Sequence, residues 1–221
     1  MIELNIQIEL HKPNTDLASL YPAEYQSSQQ QLQRKLYPTL LLEYQNGFQP
    51  QTKPTGNTRY TKFGAQYQHY LPLTKKYTFA FNFDVGYGKG LNGQPFPLFK
   101  NYYSGGLGSV RGYEQGSLGK RDSVSNFVVG GTKKVTFNTE FLTPFPGVGN
   151  DRSLRLFAFY DMGNVFAEDE SFKFKELRSS AGFGISWASP MGPLRFAWAR
   201  PVRSFEGDRI QRLQFQIGTA F

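Results

Sequence analysis

KYTFAFNFDVGY, residues 76–87, alternates strictly between large apolar side chains and small or polar ones. Every second residue from Tyr77 to Tyr87 is aromatic or Val, and the residues between are Lys, Thr, Ala, Asn, Asp and Gly. A period of two indicates a β-strand with one apolar face. The stretch is also close in length to the roughly 9–11 residues of a tilted strand that crosses a membrane.

Similar alternation recurs along the chain. The strand-like segments are 2–10, 36–46, 59–71, 76–87, 133–142, 153–166, 179–189, 194–202 and 210–221. We therefore expect about eight or nine strands. The uncertainty lies in residues 1–58, where about 25 largely polar residues replace an expected short turn.

The connections between segments separate a membrane barrel from a soluble sandwich. Residues 71–76 and 189–193 are tight turns, and 143–152 is intermediate. The longer links are 46–58, 88–130, 167–176 and 203–209. Short and long links tend to alternate, as in an outer-membrane barrel with short periplasmic turns and long external loops. The sequence thus predicts an all-β, antiparallel transmembrane barrel of the outer membrane, with its C-terminus on the periplasmic side.

Composition agrees with a barrel and argues against several other classes. Mean hydropathy is −0.48, and no run approaches the roughly 18 apolar residues of a membrane helix. Aromatic residues make up 16%, which suits aromatic girdles. With no Cys and two His, we expect no metal, no other cofactor and no catalytic residues. The net charge of +8 is scattered, so nucleic acid is not an expected partner.

The last segment, 210–221, resembles the assembly signal of bacterial outer-membrane barrels. Its apolar residues recur at every second position and it ends on an aromatic residue. The residues that we single out in this segment are Leu213, Phe215, Ile217, Gly218 and Phe221. The alternative is an ordinary amphipathic edge strand.

The longest link, 88–130, is rich in glycine and carries the tip Val110-Arg111-Gly112-Tyr113. Arg111 is either a solvated surface charge or a group that folds back into the lumen and binds a carboxylate. Asp161 and Glu140 lie opposite the apolar faces of their strands, so parity directs both into the lumen. We expect Arg111 to pair with one or both.

Several motifs resemble the C-terminal barrel of the BamA family of outer-membrane protein insertases, in its betaproteobacterial form. They are NYYSGGLGSVRGYEQGSLG (101–119), FNTEFLTPFPG (137–147), RLFAFYDMGNVF (155–166), RSSAGFGISWASPMGPLRFAWARPV (178–202) and QRLQFQIGTAF (211–221). The VRGY tip together with the F-x-D-x-G strand motif is specific. The match extends upstream to about residue 75, and residues 1–58 match less well.

The resemblance implies the C-terminal half of a 16-stranded barrel, without the periplasmic POTRA domains. We divide the chain into N-terminal strands and a loop, 1–58, and C-terminal strands with a lumen-inserting loop, 59–221. Because half a barrel leaves an unpaired edge in lipid, the chain alone is not expected to form a stable monomeric barrel. Heat-modifiable gel migration of refolded monomer would contradict this.

The resemblance also implies a function without a chemical step, so we expect no enzyme. The tip would bind Asp161, with Glu140 alongside, and 210–221 would be one gate strand; the other has no matching segment. A client strand would add to the open edge by β-augmentation. The implied partners are unfolded outer-membrane clients, BAM lipoproteins through the absent POTRA part, and outer-membrane lipid and lipopolysaccharide.

Three alternatives remain open at this stage. A two-partner secretion transporter or a TamA-type assembly factor would share the architecture and carry a similar tip. An outer-membrane barrel enzyme would need a nucleophile and a base on one rim, and His11 and His69 have no such surroundings. A soluble sandwich acting as a binding module would share only the alternation.

Overall fold

The computed structural model describes residues 2–9, 39–49, 58–74, 76–122, 125–147, 153–189 and 192–217, with side chains from Arg59 onward. Its strands are β1 (Ile2–Glu9), β2 (Thr39–Gln49), β3 (Thr58–Pro72), β4 (Thr78–Gly90), β5 (Gly112–Tyr113), β6 (Lys120–Arg121), β7 (Val128–Gly130), β8 (Lys133–Pro144), β9 (Leu154–Phe166), β10 (Arg178–Ser189), β11 (Gly192–Arg203), β12 (Ile210–Gln211) and β13 (Leu213–Ile217). Two short 3₁₀ helices span Leu98–Lys100 and Phe174–Glu176. None of the helices described is long and apolar enough to cross a membrane.

Nine of these strands form one sheet in the order β1-β2-β3-β4-β8-β9-β10-β11-β13. Every neighbouring pair is antiparallel. The prediction of an all-β antiparallel fold with eight or nine strands is confirmed. The tight turns after β3 and β10 fall at one rim of the sheet, and the connections that follow β2, β4, β9 and β11 fall at the other, which we call the long-loop rim.

Two elements differ from the sequence prediction. The link 88–130 begins after Gly90 and contains β5, β6 and β7, because its backbone groups find partners within the loop and on the terminal segment. The predicted strand 210–221 is not continuous. Its first residues, β12, pair with β5 instead of joining the nine-stranded sheet, and only β13 pairs with β11.

The two faces of the sheet have opposite chemistry. One face, the outer face, exposes large apolar side chains on most of its strands, among them Phe83, Tyr87, Phe183, Trp198 and Phe215. The other, the inner face, carries mostly polar and small residues, and the described part of the loop 91–132 packs against it. An exposed apolar band opposite a polar interior is the distribution expected for a sheet that faces lipid on one side.

Alternating glycines let the loop approach the inner face. A Cβ atom at Gly86 would lie 2.5 Å from the ring of Tyr102, and one at Gly88 would lie 2.6 Å from the ring of Phe96. These rings therefore occupy the space that side chains of β4 would need. The core of the molecule lies between loop and sheet, where Val110, Tyr113 and Leu118 form a buried cluster.

Candidate functional site

The loop tip Val110–Tyr113 is buried against the inner face of the sheet. Arg111 is 2% exposed, and Asp161 on β9 is fully buried. The Arg111 Nε donates to Asp161 Oδ2 at 2.6 Å, and Nη2 donates to Oδ1 at 2.7 Å. The backbone N–H of Arg111 adds a third hydrogen bond to Oδ2 at 3.0 Å. The result is a bidentate, charge-assisted pair with a fixed orientation.

Glu140 on β8 extends this pair into a network of four charges. Arg111 Nη1 donates to Glu140 Oε1 at 2.5 Å. From β11, Arg195 Nη2 lies 2.9 Å from both oxygens of the same carboxylate. Two cations and two anions therefore balance one another, which is how buried charges are normally tolerated.

An aromatic platform supports the guanidinium of Arg111. Its Cζ lies 3.7 Å from the ring centroid of Phe159 and 5.6 Å from that of Phe157, both on β9. These rings lie over glycines of β10, since a Cβ at Gly182 would be 2.7 Å from Phe159. Arg is suited to such a site because its planar, weakly hydrated group stacks on aromatic faces.

Burial and pairing act in opposite directions on the charge of Arg111. Burial lowers the pKa of this guanidinium, but its hydrogen bonds and attraction to Asp161 and Glu140 outweigh that and raise the pKa above the ordinary value. The group is therefore charged wherever the tip is docked.

All three defined residues of the F-x-D-x-G motif on β9 contact the loop tip or leave room for it. Phe159 stacks on the guanidinium and Asp161 binds it. Gly163 leaves room for Val110, because a Cβ at this position would lie 2.9 Å from Val110 Cγ2. The alternation of the strand aims all three residues at the inner face.

Close contacts also fix the positions of Gly112 and Tyr113, the other two residues of the tip. Gly112 has φ +88°, and a Cβ there would lie 3.1 Å from the Cβ of Ala199 on β11. The hydroxyl of the fully buried Tyr113 donates to the carbonyl of Arg203 at 2.6 Å. Burial raises the pKa of Tyr113 well above its ordinary value, with a smaller contribution from Asp208, so the phenol stays a donor.

The terminal segment contacts the tip directly. β12 pairs with β5, so that Ile210 lies opposite Tyr113 and Gln211 opposite Gly112. Farther along, Leu213, Phe215 and Ile217 point outward and are 66–69% exposed. Gly218 and Phe221, which the sequence also singled out, lie outside the described residues.

Sequence reasoning missed four residues of the site: Phe157, Phe159, Arg195 and Gln214. Parity places each of them on the inner face. The aromatic pair was overlooked because large apolar residues on a polar face carry no signal until a cation is known to lie above them. Arg195 was overlooked because it reaches Glu140 from a strand that is not adjacent to β8.

Replacing Arg195 with Met should lower the free energy of unfolding by about 1–2 kcal/mol. Glu140 would lose one of its two cations but would keep Arg111, so the loss should be smaller than for a charge left alone. Urea titration of the lipid-embedded protein, followed by the fluorescence of its two Trp residues, measures this. Arg200→Met on the exposed outer face of the same strand is the matched control, and equal losses for both would contradict the assigned contact.

Comparison with known proteins identifies a family whose sequence profile matches this chain. The profile of the Omp85 superfamily domain matches residues 20–221. Over 180 residues, the chain is 36% identical to the outer membrane protein assembly factor BamA of Neisseria meningitidis, covering 69% of this chain and 23% of that protein. BamA of Nitratidesulfovibrio vulgaris is 35% identical over 134 residues, which cover 59% of this chain and 17% of that protein.

Similarity extends to a yeast relative and to a solved structure. The sorting assembly machinery 50 kDa subunit of Saccharomyces cerevisiae is 28% identical over 156 residues, covering 65% of this chain and 32% of that protein. The crystal structure of BamA from Haemophilus ducreyi lacking POTRA domains 1–3 superimposes with a TM-score of 0.66 at 25% identity, over 81% of this chain and 41% of that one. The chain thus spans well under half the length of the relatives it matches.

Proposed function

This chain belongs to the Omp85 superfamily, and we propose that it forms a membrane-embedded part of a machine that inserts β-barrel proteins into the outer membrane of a Gram-negative bacterium. The names of its relatives, assembly factors and a sorting and assembly subunit, support this proposal. In this proposal residues 59–221 supply the C-terminal barrel strands, and the C-terminus faces the periplasm.

The observation that carries the proposal is the terminal strand. Within the part of the chain that the structure describes, β13 pairs on one side only, with β11. An unpaired edge in lipid leaves backbone N–H and C=O groups without partners, which is costly. An incoming strand that supplies those partners is therefore bound through its backbone, whatever its side chains.

No bond of the client is made or broken in such a mechanism, so we propose a non-enzymatic assembly factor. Its partners would be unfolded outer-membrane proteins, the lipoproteins of the assembly complex, and outer-membrane lipid with lipopolysaccharide. The role of the Arg111 network would be to fix the loop inside the barrel and so to hold β8, β9 and β11 in one arrangement.

The direction of the hydrogen bonds in β13 allows a sharp test. Ala199 donates its backbone N–H to the carbonyl of Arg212 at 2.8 Å. Because the antiparallel pattern repeats every two residues, Gln214 and Gln216 also face β11. Phe215 therefore directs its N–H to the free edge.

Phe215→Pro should slow client insertion about tenfold, because it removes one donor of the edge and leaves a client carbonyl unsatisfied, at about 1.4 kcal/mol. Pairing with β11 is retained, since proline is tolerated on an edge strand. The measurement is insertion of an unfolded barrel protein into vesicles that contain the protein, followed by heat-modifiable gel migration. Phe215→Ala, which loses the ring but keeps the N–H, is the control, and equal rates for the Pro and Ala variants would refute the proposal.

A further inference from the structure

We propose that the docked loop tip sets the end of the edge that β13 offers to a client strand, and that Gln214 couples the tip to the terminal strand. The client part of this inference rests on the proposed function. The coupling part concerns only this chain and is tested without a client.

The terminal segment leaves the nine-stranded sheet at a defined residue. Going from the C-terminal end of β13 back toward β12, Leu213 is the last residue paired with β11, and it lies opposite Trp198. One residue earlier in the sequence, the carbonyl of Arg212 still accepts the backbone N–H of Ala199. Ile210 and Gln211 pair with the tip instead. The backbone N–H of Glu114 continues this pairing by donating to the carbonyl of Arg209 at 2.9 Å. Toward the long-loop rim, the terminal segment thus pairs with the tip and no longer with β11.

The next residues of β11 fit this departure. After Ala199, the next residue that faces the terminal segment is Pro201, which has no N–H to leave unpaired. The carbonyl of Arg203 accepts the hydroxyl of Tyr113. Buried backbone groups need hydrogen-bond partners. Because Pro201 has no N–H and the carbonyl of Arg203 is already bonded, this end of β11 does not need the terminal segment as a neighbouring strand.

Gln214 joins the tip to the strand below the departure point. It is 5% exposed, and its Nε2 donates to the carbonyl of Tyr113 at 2.6 Å. Its Oε1 accepts the backbone N–H of Gly112 at 3.3 Å. The side-chain amide thus imitates a peptide group of a neighbouring strand. Gly112 and Tyr113 are held both by the backbone of β12 and by this amide.

A consequence follows for the pairing edge. While the tip is docked, the backbone groups of Arg209 and Gln211 are directed to β5. These two residues continue the alternation of the edge-facing residues Leu213, Phe215 and Ile217, so a client strand finds a free edge only from Leu213 onward. If the tip leaves, these residues lose their partners and the edge lengthens toward the long-loop rim. Docking of Arg111 on β9 and the length of the edge are therefore one linked property.

Hydrogen–deuterium exchange of the protein in lipid tests the coupling. Gln214→Leu should raise the exchange rates of the amides in both 110–114 and 210–213 by about tenfold, equivalent to about 1.4 kcal/mol. The control is Gln216→Leu, the next inward Gln of β13, which should leave both segments unchanged. Asp161→Asn is the decisive variant, because Asp161 has no contact with 210–213 among the hydrogen bonds and ion pairs described. If it speeds exchange in 110–114 and not in 210–213, the coupling is refuted.

Cysteine cross-linking tests the edge. The chain has no Cys, so single Cys residues at Gln211 or Phe215 have no background. The probe is a synthetic peptide with the sequence of residues 210–221 and one added Cys. With the tip docked we expect at least tenfold more cross-linking at position 215 than at 211, and comparable yields once Gln214→Leu is introduced. Equal yields with the tip docked would overturn the edge limit, whereas no cross-link at either position would overturn the proposed function and leave the coupling standing on the exchange data.

Discussion

Asp161→Asn should release the loop tip and lower the free energy of unfolding by about 3–5 kcal/mol, the usual effect of removing one partner of a buried ion pair. Asn has nearly the same size, but its amide nitrogen would face the N–H donors of Arg111. The guanidinium would keep only Glu140, which already binds Arg195. The loss should appear as a lower urea midpoint and as rapid trypsin cleavage after Lys120 or Arg121, which lie in the same loop.

The control is Asp84→Asn, which breaks another ion pair of the inner face, with Lys134 at 2.6 Å. Both side chains of that pair are partly exposed, so its loss should cost about 1 kcal/mol or less.

The double variant Arg111→Met with Asp161→Asn should be less destabilised than the sum of the two single variants, because the second change removes the buried charge that the first change leaves without a partner. Strictly additive losses would show that the two residues do not act as a pair.

Gly112→Ala should prevent the tip from seating, at a cost of about 3 kcal/mol that combines a strained backbone with overpacking. A φ of +88° is unfavourable for any residue with a Cβ, and the added methyl group would press on Ala199 at 3.1 Å and on Ser180 at 3.4 Å. Neither neighbour has a flexible side chain that could move aside. The urea midpoint and trypsin sensitivity of the loop are again the measurements.

Gly116 in the same loop separates strain from overpacking. It also has a positive φ, +66°, but a Cβ there would meet only Tyr103 at 3.9 Å, an ordinary contact. Gly116→Ala should therefore cost only the backbone part, about 1 kcal/mol. If both Ala variants lose the same stability, the close approach of Gly112 to β11 is not what holds the tip.

Alternation in the sequence was sufficient to predict the strands of the sheet. A pattern of period two identifies a strand and also assigns each of its side chains to one of the two faces. Parity placed Asp161 and Glu140 on the inner face, where the structure brings both to Arg111. The departure of the terminal segment at Arg212 had no such local signal. Ile210 and Gln211 continue a plausible strand, and their actual partners, Tyr113 and Gly112, lie about a hundred residues earlier in the chain.

The partners of the tip also impose an order on folding. Arg111 and its carboxylate on β9 are 50 residues apart, and Gly112 and Gln214 are 102 apart, with both partners later in the chain than the tip itself. Doubling such a separation adds only about 0.6 kcal/mol of loop-closure entropy, so distance alone is not the obstacle. What matters is that docking requires β9, β11 and the terminal strand to be present together. We therefore expect the tip to dock last during folding, after the terminal strand has been translated and has joined β11.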